Sequence, residues 1–67
     1  MRMRIDEWRR YKKMSQSELA AKCGVSIMTI RFWEDNPGKI KIENVEKIAS
    51  ALEVHRNDII FLPKSTN

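Results

Sequence analysis

The sequence predicts an all-α fold of five short helices. Three observations carry this expectation. Apolar residues recur at helical spacing along most of the chain, while strand-type alternation is confined to KIKI at 39–42. Ser15 and Ser26 stand directly before such stretches, where a hydroxyl can cap a helix. The glycines, Gly24 and Gly38, and the prolines, Pro37 and Pro63, fall between the periodic stretches rather than inside them.

A first helix is expected at residues 4–13, with Ile5 and Trp8 on its buried face and Tyr11 or Lys12 completing it. The second begins at Ser15. Its hydroxyl can bond the backbone N–H three residues on while the Glu18 carboxylate reaches back, a capping box. Leu19, Ala20 and Cys23 then share one face, and Gly24 suits the positive φ that ends a helix. Ser26 caps the third helix, which turns Ile30 and Trp33 inward together with the preceding Val25. The same register leaves Ile27, Met28, Arg31 and Phe32 pointing outward. The DNPG stretch at 35–38 reads as a turn. A fourth helix, 42–52, buries Ile42, Val45, Ile48, Ala49 and Leu52. A short fifth, 56–61, buries Val54, Ile59 and Leu62. Pro63 ends it, and the tail at 63–67 is expected to fray.

Sixty-seven residues are expected to form a single domain, 1–67. A chain of this size buries only about 60% of its unfolded surface, so its core must be efficient. Cys23 is the only cysteine, so no internal disulfide helps. A lone thiol suits a reducing, cytoplasmic compartment and reads best as a small core hydrophobe. No apolar run approaches the roughly 18 residues that cross a bilayer, so no membrane role is expected. The basic start, MRMRIDEWRRYKK, lacks the apolar region of a secretory signal. Net charge is +4 and the pI is near 9.6, which favours a polyanionic partner. Residues 1–13 carry Arg2, Arg4, Arg9, Arg10, Lys12 and Lys13 against Asp6 and Glu7. Arg2 and Arg4 suit either an arm that reaches a partner or a solubilising tail.

Enzymatic readings find little support. The chain has one histidine and one cysteine, no GxSxG, no phosphate-binding loop and no paired inward carboxylates. No second ligand lies near His55, which is expected to be a surface residue. No catalytic residue, metal or cofactor is expected.

The stretch MSQSELAAKCGVSIMTIRFWED resembles the helix-turn-helix of the phage repressor/Cro family, also called the XRE family. The likeness continues through KIENVEKIASALEVHRNDII and spans about residues 4–62. It implies a lambda-repressor-like DNA-binding domain with its helix-turn-helix at 15–34. Such a domain acts as a sequence-specific transcriptional regulator, often a repressor, in phages, mobile elements and bacteria. Its third helix enters the major groove, and it binds a double-stranded operator as a homodimer. Carried onto this chain, the base contacts are Ile27, Met28, Arg31 and Phe32, and the phosphate contacts are Ser15, Gln16, Thr29, Lys39 and Lys41. The family's residue at Gln16 also braces the third helix. Arg9 and Glu34 match a structural ion pair, and Ile60 and Phe61 are the candidate dimer contacts.

The chain departs from the family pattern at several sites. Lys13 stands where glycine often ends the first helix, while Lys41 and His55 stand where capping residues are usual. Each lost cap costs about 0.5–2 kcal/mol. The outward face is apolar where the family is usually polar. Such a face also suits a protein interface, so a second reading is a small anti-repressor-type modulator that binds a partner repressor.

Overall fold

The computed structural model describes residues 1–62. It contains α1 (Ile5–Tyr11), α2 (Gln16–Cys23), α3 (Ile27–Asp35) and α4 (Ile42–Leu52), with 3-10 turns at Pro37–Lys39 and Arg56–Asp58. Among the described residues the helices are therefore four, not five. The expected stop at Pro63 and the tail at 63–67 lie outside the described residues.

The helix boundaries follow from local chemistry. At α2, Ser15 Oγ accepts from Glu18 N at 3.0 Å and Glu18 Oε1 accepts from Ser15 N at 2.8 Å, so the expected capping box forms. Gly24 ends the helix at φ 71°, the left-handed conformation that its missing Cβ makes inexpensive. Ser26 Oγ accepts from Thr29 N at 3.2 Å and starts α3. The first helix is shorter than the expected 4–13: α1 ends at Tyr11, and Lys13 takes φ 56° where a glycine would be unstrained. Lys41 makes no side-chain cap, as its chemistry requires, but His55 does: its Nδ1 accepts from Asn57 N at 3.2 Å. The expected loss of a cap at His55 is thus wrong, because a neutral imidazole nitrogen serves as an acceptor.

The core gathers Ile5 and Trp8 from α1, Leu19, Ala20 and Cys23 from α2, Ile30 and Trp33 from α3, and Ile48, Ala49 and Leu52 from α4, closed by Ile59. Met3, Met14, Val25, Ile40, Val54 and Phe61 pack partly buried around it. Cys23 is a core residue, as expected, and burial pushes its thiol above its ordinary pKa, with Lys47 opposing. Several expected core residues are not fully buried: Val45 and Val54 are half-buried, and Tyr11 and Lys12, one of which is expected to complete the α1 face, are both exposed. Ile42 is 76% exposed, because the first turn of α4 stands clear of the packed body. Leu62 is 70% exposed, although Ile59 is buried as expected and Ile60 and Phe61 are half-buried.

The fifth helix is absent because its backbone has another partner. After the 3-10 turn the chain extends, and Ile59 forms an isolated parallel bridge with Met3. Met3 N donates to Asp58 O at 3.0 Å and Ile60 N donates to Met3 O at 2.8 Å. Trp8 Nε1 also donates to Asp58 O, at 2.7 Å, across 50 residues of sequence. Arg2 Nε donates to Asn57 O at 3.2 Å, and Arg4 N donates to Glu7 Oε1 at 2.8 Å at the start of α1. The amino-terminal residues are therefore neither an arm nor a loose tail: Arg2 and Met3 are fastened to the carboxy-terminal segment.

Candidate nucleic-acid interface

Two helices position the site. α2 and α3 are joined by a short turn through Gly24 and Val25, and Ser26 starts the second of them. On α3, Ile30 and Trp33 are sunk into the core and hold the rod from behind. The opposite face is open. Met28 is 66% exposed, Phe32 47% exposed, and Arg31 is exposed between them in sequence. Ile27, expected to point outward, is half-buried. The face thus presents two large apolar groups and one guanidinium, with Ile27 at its edge.

A polar chain crosses from α1 to that face. Arg9 Nε donates to Glu34 Oε2 at 2.7 Å, with the two side chains only 10% and 8% exposed. Arg9 Nη1 donates to the Met14 carbonyl at 3.0 Å. The second Glu34 oxygen accepts from Gln16 Nε2 at 2.9 Å. Gln16 Oε1 in turn accepts from Arg31 Nε at 3.3 Å. The amide has only one orientation that satisfies both neighbours, since a carboxylate only accepts and a guanidinium only donates. Gln16 therefore braces α3, and the expected Arg9–Glu34 pair is in place. Sequence reasoning paired Arg9 with Glu34 and gave Gln16 a bracing role, but marked Arg31 only as a base contact. It gave no sign that they form one connected chain, because helix periodicity does not say which side chains meet across a turn.

The remaining candidates are distributed around this face. Ser15 and Gln16 occupy the amino terminus of α2, and the Ser15 hydroxyl is engaged in the cap. The Ser15 backbone N–H, then its hydroxyl, hold the Glu18 carboxyl below its ordinary pKa. Thr29 is half-buried, with its hydroxyl 3.2 Å from Ser26 Oγ. Lys39 and Lys41 are both exposed, one ending the 3-10 turn after α3 and the other preceding α4. Sequence reasoning missed Asn36, whose Nδ2 donates to the Phe32 carbonyl at 3.1 Å and closes the end of α3. Ile60 and Phe61 are on the carboxy-terminal segment, where Phe61 lines an open groove with Pro37, Ile40, Val45 and Ile59, against the turn that carries Lys39. Among the described residues no group of three or more histidine, cysteine or carboxylate side chains could hold a metal, and no helix is long and apolar enough to cross a membrane.

The helix-turn-helix family matches residues 5–59, nearly the whole described chain. The protein belongs to the Cro/C1-type, or XRE, helix-turn-helix family. No curated protein and no solved structure matches the chain. Family membership makes this a DNA-binding regulatory domain, and it accounts for the exposed third helix held by buried Ile30 and Trp33. A helix presented in this way has the width needed to enter the roughly 12 Å major groove.

Proposed function

We propose that residues 1–67 act as one sequence-specific transcriptional regulator that reads an operator with α3. The observation that carries this reading is the Arg31 guanidinium, exposed on α3 and braced by Gln16. An arginine fork pairs with guanine O6 and N7, which discriminates by about 1–3 kcal/mol. Met28 and Phe32, with Ile27 beside them, pack on thymine methyl groups or the sugar wall. Ser15, Gln16, Thr29, Lys39 and Lys41 face the phosphate backbone, although the Ser15 hydroxyl already caps α2 and the Thr29 hydroxyl meets Ser26 Oγ. The protein binds as a homodimer on half-sites roughly 34–36 Å apart, one turn of DNA. Ile60 and Phe61 supply dimer contacts, and the exposed Leu62 adds apolar surface there.

Selection of bound sites from random duplexes with the purified protein tests this reading. Arg31→Ala is expected to lower affinity about tenfold or more at one guanine position. Lys39→Ala is expected to weaken all sites alike and to reduce the slope of log K against log salt by about 0.9. A wild-type protein without salt-dependent duplex binding would sink the reading. In that case a second reading takes its place, favoured by the exposed apolar Met28 and Phe32: α3 docks on a partner repressor, and capture of that repressor is lost on Phe32→Ala.

A further inference from the structure

We infer that the α3 face is built for one dinucleotide class: a guanine beside a pyrimidine that carries a C5-methyl group, either thymine or 5-methylcytosine. This rests on the DNA-reading role proposed above and names the substrate chemistry of that site. The argument starts from Arg31. Its Nε donates to Gln16 Oε1 at 3.3 Å and one Nη1 N–H donates to Met28 Sδ at 3.9 Å, which leaves the second Nη1 N–H and the Nη2 group for a base. Gln16 is itself held at 2.9 Å by Glu34, whose other oxygen is held at 2.7 Å by the buried Arg9. The guanidinium is thus aimed before any base arrives, and its end-on fork matches the O6 and N7 acceptors of guanine.

Arg31 Nη1 lies 3.9 Å from Met28 Sδ. Neighbouring bases on one strand are about 3.4 Å apart, so a guanidinium and a thioether at that separation meet adjacent bases. The group beside the guanine then faces the exposed Met28 thioether, whose sulfur already accepts from Arg31 Nη1 and whose remaining surface is apolar. A C5-methyl group satisfies that surface. The exocyclic group at C4 does not touch it, so methylated cytosine serves as well as thymine, while uracil and unmodified cytosine do not. Gln16 is a positioning residue in this arrangement: it acts on the guanine through Arg31.

The test uses the full chain and the duplex obtained from random-site selection, read by fluorescence anisotropy. The pyrimidine beside the Arg31-dependent guanine is made thymine, deoxyuridine, cytosine or 5-methylcytosine. Loss of one buried methyl is expected to weaken binding about fourfold, the equivalent of about 0.8 kcal/mol, for uracil against thymine and for cytosine against 5-methylcytosine. Met28→Ala, a change at an exposed position that leaves the core intact, should erase both differences while the guanine preference survives. Gln16→Ala should relax the guanine preference at that position, beyond the even loss across all sites that its phosphate contact brings, and adding Arg31→Ala should relax that preference little further. Equal affinity of the wild type for thymine and uracil overturns the inference, as does a selected site without a methylpyrimidine next to the guanine, or a Gln16→Ala variant that keeps the full guanine preference. Absence of duplex binding by the wild type overturns it at the level of the proposed function, and so marks a different failure.

Discussion

Two residues in this chain hold a conformation that L-amino acids avoid. Lys13 has φ 56° and Glu53 has φ 58°, each just beyond a helix end. The left-handed region costs a residue with a Cβ roughly 1–2 kcal/mol, and the freedom glycine loses on folding offsets only part of that. Lys13→Gly and Glu53→Gly should therefore each raise stability by about 1 kcal/mol, visible as a rise of about 4–8 °C in Tm for a domain of this size. Arg9 and Glu34 carry the opposite sign. Both are buried, so removing either strands a charge, at about 3–5 kcal/mol. Total stability for a domain this small is about 3–10 kcal/mol, so Arg9→Ala should come close to unfolding it by urea titration. Arg9→Met combined with Glu34→Leu should be milder than either single alanine, because no charge is then left unpaired; a double variant as weak as the sum of its parts would refute this.

At the scale of the element, α2 shows how far a local signal reaches. Its start and end were legible in the sequence, since Ser15, Glu18 and Gly24 act within a few residues of themselves. The same holds for Ser26 at α3. The expected fifth helix failed for the converse reason. Residues 56–61 have helical spacing, but the backbone of this segment is claimed by Met3, more than fifty residues away, and no local pattern reports that. The groups that α3 presents were legible too. The orientation of Arg31 was not, because it depends on Gln16 across a turn. The cap on α2 makes a prediction about pH. Hydrogen bonds from Ser15 lower the Glu18 pKa in the folded state. The capping contribution is therefore complete above the unfolded carboxyl pKa and is lost as pH falls through the lower folded value. Thermal melts across the acid range should show this slope in the wild type and lose it in Glu18→Gln.

Considered whole, the molecule is closed by contacts between its ends. Trp8 and Met3 both donate to the Asp58 carbonyl, at 2.7 and 3.0 Å. Trp8→Phe removes one of those donors but leaves the carbonyl with the other, so its cost should be about 1 kcal/mol rather than the full penalty of an orphaned acceptor. Trp33 remains to report the unfolding by fluorescence. Arg2→Ala, which removes an exposed contact, should change stability by less than about 0.5 kcal/mol. Composition had indicated a basic partner surface, and the charge was legible in the sequence. The fastening of the amino terminus was not, because Met3 and Ile59 carry no feature that marks them as neighbours.

That fastening bears on biosynthesis. The amino-terminal residues of α1 are made early, but the strand segment that seats them, Asp58 to Ile60, is made near the end of the described chain. A nascent chain that has not reached that segment leaves Trp8 without its Asp58 acceptor and the core without Ile59. A chain truncated before Ile59 is therefore expected to leave its first helix open to proteolysis.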